Sequence, residues 1–150
     1  MRAVIQRVEK ASVVISENEI AKIEQGLLVL LGIEINDAKE DALWLASKIA
    51  TLRIFSDEKG VMNKSVTELG GEVIVVSQFT LHAKTKKGNR PSYIKAARPE
   101  QAIPLYEQFK KNLSKAIGSE VQSGEFGADM KVSLINDGPV TIIIDTKNKD

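Results

Sequence analysis

The order of apolar and polar positions divides the chain into strands and helices before any chemistry is considered. Residues 2–8, 12–16 and 19–23 alternate weakly, as half-buried strands do when successive side chains point to opposite faces. Gly26 then opens a run over 27–33 that is apolar at every position but Gly32, which predicts a central strand covered on both faces. A helix should follow. Ala42, Leu45, Ala46, Ile49 and Leu52 recur at helical spacing and form one stripe. Asp37, with Glu40 three residues on, predicts a capping box at its start. Trp44 lies off the stripe and reads as a packing residue over a neighbouring loop.

Residues 53–55 predict a short strand and 57–60 a turn; 72–81 predict a long strand, apolar on both faces in its first half. A second helix is predicted over about 103–117, with Leu105, Tyr106, Phe109, Leu113 and Ala116 inward and Gly118 ending it. Pro104 limits where that helix begins, because a proline fits a first turn and breaks an interior. Three strands close the chain, at 119–123, 131–135 and 140–145. Asp137-Gly138 between the last two is a hairpin signal. The result is a mixed α/β, strand-rich body with two main helices, and 150 residues suit a single domain.

Composition narrows the chemistry. With no cysteine, the chain has no disulfide, Cys-ligated zinc, iron–sulfur cluster or thiol nucleophile. His82 is the only histidine, so any Ser-His-Asp arrangement must be built around it. No Gly-x-Ser-x-Gly elbow, phosphate loop, dinucleotide fingerprint or His-Glu-x-x-His site occurs, and nothing calls for a metal or cofactor. The longest apolar run falls far short of the ~20 residues of a membrane helix, and the N-terminus lacks a signal-peptide core, so a cytoplasmic protein is expected. The 21 basic and 20 acidic residues leave a net charge of +1, unlike a generally basic nucleic-acid binder.

Three segments carry candidate chemistry. The first is Ser77-Gln78-Phe79-Thr80-Leu81-His82, where an apolar strand turns polar at its end. Strand alternation would put Gln78, Thr80 and His82 on one face, with His82 either a base for Thr80 or a solvated strand-end histidine. A plain polar strand end fits the same spacing. The second segment, 82–98, holds Lys84, Lys86, Lys87, Arg90, Lys95 and Arg98 and no acidic residue. Gly88, Asn89 and Pro91 mark it as loop, so it reads as a phosphate-contacting surface or a solvated loop. The third is Asn136-Asp137-Gly138-Pro139-Val140-Thr141, a plain turn or, with a cis Gly-Pro peptide, a rigid pair of carbonyl acceptors.

In order along the chain, Met1-Arg2-Ala3-Val4-Ile5-Gln6-Arg7-Val8, Gly26-Leu27-Leu28-Val29-Leu30-Leu31-Gly32, Leu52-Arg53-Ile54-Phe55, Ser77-Gln78-Phe79-Thr80-Leu81, Lys87-Gly88-Asn89-Arg90-Pro91-Ser92, Gly124-Glu125-Phe126-Gly127-Ala128-Asp129-Met130 and the Asn136 to Thr141 segment resemble the D-aminoacyl-tRNA deacylase family. The resemblance spans nearly the whole chain. It implies a single compact α/β domain over 1–150, with mixed and antiparallel strand-rich sheets layered with two main helices (α/β/β), barrel-like, acting as a homodimer.

It also implies hydrolysis of the ester joining a D-amino acid, or glycine, to the 3′-terminal adenosine of tRNA, without a cofactor or membrane. On this likeness Ser77, Gln78 and Thr80 are the catalytic segment, with Ser77 and Gln78 orienting the ester. Phe79, Phe126, Met130, Gly138 and Pro139 bind substrate, Phe126 and Met130 lining the adenosine pocket. A cis Gly138-Pro139 enters the partner's site, accepts a hydrogen bond from the substrate amine and excludes L side chains. Arg7 steadies that loop, and Lys84, Lys86, Lys87 and Arg90 contact tRNA phosphates. The likeness favours water as nucleophile, assisted by the tRNA 2′-hydroxyl, with amides near Phe79 and Thr80 facing the oxyanion.

This sequence departs from the family pattern in lacking a glycine in the turn at 17–19, in Pro104, which predicts a late helix start, and in His82 where tyrosine is more usual. Two other readings compete: a non-catalytic module binding tRNA acceptor ends, and a threonine-nucleophile esterase using Thr80 with His82.

Overall fold

A computed structural model describes residues 1–150. Strand β1 (Arg2–Ile15) is one long strand where two were expected. It turns through Ser16 and Glu17 into β2 (Asn18–Ile23), and β3 (Gly26–Gly32) returns along its other half. Helix α1 (Lys39–Thr51), a small hairpin of β4 (Phe55–Ser56) and β5 (Met62–Lys64), and the one-turn α2 (Val66–Leu69) lead to β6 (Glu72–Ser77), which lies parallel to β3. After a 3-10 turn at Phe79–His82, a long loop reaches α3 (Pro99–Ile117), β7 (Gln122–Ser123) and β8 (Lys131–Asp145). No helix is long and apolar enough to cross a membrane.

The main sheet runs β2-β1-β3-β6-β7, with β8 pairing β1 off that path. It curls until its ends meet. The Gln122 side chain accepts from Lys22 N–H and donates to Lys22 C=O, both at 2.8 Å, doing for β2 what a neighbouring strand would do. The sheet therefore has two buried faces, giving the expected α/β/β, barrel-like layering. On the outer face Leu27, Val29, Leu31, Val73 and Val75 pack against Leu45, Ile49, Tyr106 and Phe109 of α1 and α3. On the inner face Leu28, Ile74 and Val76 meet Val8, Val13 and Ile23. That double coverage is why the β3 sequence is apolar without alternation.

Local differences from the sequence expectations have identifiable causes. Asp37 does not cap α1. Its buried carboxylate is drawn instead to the Met1 ammonium and accepts from Glu34 N–H at 2.7 Å, so Ala38 begins the helix and Asp41 reaches back to the Ala38 N–H at 2.9 Å. Helix α3 starts earlier than Pro104 suggested, with Pro99 in its first turn. Pro104 sits exposed inside it, and the only carbonyl it deprives of a helical donor, that of Glu100, lies at the exposed start of the helix. Gly118 ends it in the left-handed conformation (φ 77°), while Ala116 faces solvent rather than the core. Ser65 and Glu68 cap α2 reciprocally, a signal not read from the sequence.

The largest correction concerns β8. The 131–135 and 140–145 segments are not two arms of a hairpin but one strand, antiparallel to β1 from Arg2↔Asp145 to Val14↔Lys131. While β1 steps from Gln6 to Val8, β8 steps from Thr141 to Asn136, so residues 137–140 bulge out of the ladder.

Two expectations about stability follow. The β1–β2 turn holds Ser16 and Glu17 at φ 48° and 67°, the conformation that Asn-Gly adopts without strain. Glu17→Gly should raise unfolding free energy by about 1 kcal/mol in denaturant melts. Burial pushes the Asp41 carboxyl up, but hydrogen bonds from Lys147 Nζ at 2.8 Å and Ala38 N–H outweigh it and hold its pKa at about 2, below the ordinary 3.8. A depressed carboxyl stabilises the fold above its unfolded pKa and loses that contribution as pH falls through the folded one. Asp41→Asn should therefore be less stable than wild type at about pH 5, with the gap closing towards about pH 2.

Candidate active site

The site begins where β6 runs out. Gln78 N–H donates to Leu31 C=O at 2.8 Å as the last bond between these parallel neighbours, and the chain then folds into the 3-10 turn. A side chain at Gly32 would come within 3.0 Å of Gln78, Leu81 and His82, so the turn packs tightly onto β3 because position 32 is glycine. Arg2 Nη1 donates to Leu81 C=O at 2.6 Å and holds the turn from the other side.

This turn overturns the strand-face expectation for Gln78, Thr80 and His82. Thr80 Oγ1 accepts a hydrogen bond from Gln78 Nε2. His82 is buried at 4% exposure, neither solvated nor aimed at Thr80. Its Nδ1 lies 3.8 Å from Glu34 Oε2, and its Nε2 has no hydrogen-bond partner. The threonine–histidine esterase reading therefore loses its base.

A cleft of about 300 Å³ opens beside the turn. Ser77, Gln78 and Phe79 line one side, and Phe126 and Met130 from the loop after β7 line the other. Residues 47 to 53 positions apart are thus brought together over an apolar floor that includes Leu31 and Val76. Phe126 is backed by Tyr106 of α3, ring centroids 5.8 Å apart at 64°. The Tyr106 hydroxyl donates to Val75 C=O at 3.0 Å; burial pushes this phenol up to about 12, so it stays a neutral donor. Gly124 donates its N–H to Val75 C=O at 3.1 Å and makes room for Met130, whose Sδ lies 2.3 Å from where a Cβ would stand. Gly124, Gly32 and Tyr106 carry roles here that sequence reasoning did not assign. Their signal was a close approach between segments, invisible along the chain.

Gly138 and Pro139 lie outside this cleft. Their peptide bond is cis, and both residues are exposed at the tip of the β8 bulge. Arg7, directly across the ladder, donates from Nε to Asp137 C=O at 3.0 Å and from Nη1 to Ile54 C=O at 2.7 Å. Its ion pair with Asp137 at 3.5 Å adds a further tie, and Asn136 Oδ1 accepts from Val140 N–H at 3.0 Å. Lys84, Lys86, Lys87 and Arg90 are all exposed on the loop that leaves the 3-10 turn. No group of three or more His, Asp or Glu side chains is arranged to hold a metal ion.

A small cleft floored by a mixed sheet, with polar groups on one rim and aromatic and thioether surfaces on the other, is the candidate site for a partly apolar ligand. The family described as D-Tyr-tRNA(Tyr) deacylase matches residues 4–145, and the chain belongs to that family of hydrolases. A D-aminoacyl-tRNA deacylase of Bacteroides fragilis (strain YCH46) is 65% identical over 150 residues, covering all of both chains. Among solved structures, the c-Myc DNA Unwinding Element Binding Protein superposes with a TM-score of 0.92 at 41% identity, over 97% of this chain and 98% of that one. A probable eukaryotic D-amino acid tRNA deacylase shares the fold, with a TM-score of 0.81 at 16% identity over 95% and 97%.

Gly124→Ala tests the cleft wall. The added methyl must displace Met130, and about 1–3 kcal/mol of overpacking corresponds to a roughly 5- to 150-fold rise in KM for aminoacyl-tRNA, with kcat less affected. Steady-state deacylation kinetics check it.

Proposed function

We propose that this cleft hydrolyses the ester between a D-amino acid, or glycine, and the 3′-terminal adenosine of tRNA, in a cytoplasmic homodimer. Phe126 and Met130 hold the adenosine, Ser77 and Gln78 orient the ester, and Lys84, Lys86, Lys87 and Arg90 contact phosphates. Water is the nucleophile and the tRNA 2′-hydroxyl assists it. The first amides of a helical turn have no partner within the turn, which leaves those of Phe79 and Thr80 available to the developing oxyanion.

The observation that carries this reading is the engagement of both side chains that would otherwise do the chemistry. Thr80 is tied to Gln78, and His82 is buried against Glu34. The one carboxylate lining the cleft, Asp129, is paired with Lys131 Nζ at 3.1 Å, so the proton is read as moving through water and the substrate's own hydroxyl.

Specificity belongs to the bulge. The Gly138–Pro139 tip, exposed and braced by Arg7, is read as entering the partner's cleft, where its carbonyls accept from the substrate amine and an L side chain would collide with them. Support for a dimer comes from β8 itself, a 15-residue strand paired only with β1, which carries Ile135 and Ile143 at 42% and 68% exposure. Long apolar edges of this kind are usually covered.

Hydrolysis of D- and L-tyrosyl-tRNA under identical conditions tests the specificity, and equal rates on the two would sink it. Thr80→Ala should stay within a few-fold of wild type, whereas tRNA ending in 2′-deoxyadenosine should lose about 100-fold or more in kcat. A dead variant with an active deoxy substrate would reverse the assignment.

A further inference from the structure

Of the seven aromatic side chains, five are buried or half-buried and two are exposed, and those two touch. Phe79, on the rim of the cleft, is 54% exposed; Tyr93 is 38% exposed. Their centroids are 5.0 Å apart at an interplanar angle of 78°, an edge-to-face pair. Ile94 beside them is 71% exposed. Burying none of these fully leaves apolar surface in water at a place where the chain is otherwise strongly polar.

The backbone holds this ledge firmly. Lys84 and Ser92 exchange both backbone hydrogen bonds, at 2.8 and 3.0 Å, and so close the loop that carries Lys86, Lys87 and Arg90. Just beyond, Tyr93 C=O accepts from Ala96 N–H at 2.9 Å, Ile35 N–H donates to Lys95 C=O at 3.1 Å, and Ala97 N–H donates to Ile33 C=O at 2.9 Å. Tyr93 thus stands between a basic loop and a segment stitched to the end of β3. All six charges from 84 to 98 are positive.

The geometry points to a second nucleotide subsite: Phe79 and Tyr93 form a stacking platform for the unpaired base that precedes the terminal adenosine of the tRNA, with its flanking phosphates on the basic loop. Open aromatic faces set among cations that follow a phosphate chain are what single-stranded nucleic acid requires, and the stacking tolerates any base. Continuity selects the occupant. Phe79 lines the cleft and also meets Tyr93, so a strand whose last nucleoside fills the cleft passes over this ledge next. The inference rests on the deacylase reading of that cleft, and makes Tyr93 a binding residue for RNA length rather than for the ester.

The test compares D-tyrosyl-tRNA with D-tyrosyl-adenosine, which lacks the preceding nucleotide. Wild type should favour the tRNA, and Tyr93→Ala should raise KM for the tRNA by about 5- to 150-fold, shrinking that preference by the same factor, while Tyr93→Phe restores it. Equal losses on both substrates, a loss in kcat alone, or a Phe variant as impaired as Ala would overturn the platform, because a merely structural tyrosine behaves in those ways. A second measurement uses an uncharged acceptor-stem RNA with 2-aminopurine before the terminal adenosine. Its fluorescence should be quenched by wild type and not by Tyr93→Ala. Hydrolysis of both D-esters without quenching rejects the platform and leaves the deacylase reading intact; quenching without hydrolysis of either does the reverse.

Discussion

The structure depends on β1 being paired along both edges. Its 14 residues meet β2 and β3 on one side and β8 on the other, so one strand joins the two cores and ties the chain's ends together. Ala3 and Ile5 point towards the helices, whereas Val8, Ala11 and Val13 point into the barrel. A strand can serve both layers over this length only if its facing changes, and it changes at the second of two irregularities in the β1–β8 ladder, between Val8 and Lys10, where Glu9 has no partner across the ladder. The first irregularity, between Gln6 and Val8, expels residues 137–140 from β8 and sets the Gly138–Pro139 tip opposite Arg7, whose guanidinium holds Asp137.

The cleft is built on the opposite principle, with rigid parallel neighbours that simply end. Once β6 has made its last bond to β3, the chain has no further strand to follow, and Gly32 lets it fold down as a tight turn. The candidate site lies just beyond that point, at the carboxyl ends of parallel strands, with α3 and Tyr106 supporting the far wall through Phe126. In the function proposed for it, the side chains position and shape, much of the chemistry is left to the substrate, and selectivity comes from what can enter.

Much of this was legible residue by residue. The β3 and β6 runs, the α1 stripe, the inward residues Leu105 to Leu113 of α3 and its glycine stop all rest on periodicities of about 2 or 3.6 residues, which any short window contains. The motifs around Ser77, Phe126 and Gly138 were visible too, but not their relations. Asp37 looked like a cap because its best partner, the Met1 ammonium, lies 36 positions away. His82 looked solvated because nothing near it in the chain reveals that it packs against Gly32. Asn136 to Thr141 looked like a hairpin because its true partner strand is β1, and Arg2 pairs with Asp145 across 143 positions.

The sequence by itself determined the fold class, the apolar faces, the family and the limits on chemistry, which absent cysteines and a lone histidine impose whatever the fold. Tertiary structure alone decided that 131–145 is one strand, that β6 yields to a turn at Gln78, that Phe79 meets Tyr93 and that the Gly138–Pro139 tip stands apart from its own cleft. The division has a physical basis. Burial preference and backbone propensity belong to each residue and repeat over a few positions, whereas register, close approach and the pairing of buried polar groups exist only between segments once they are packed.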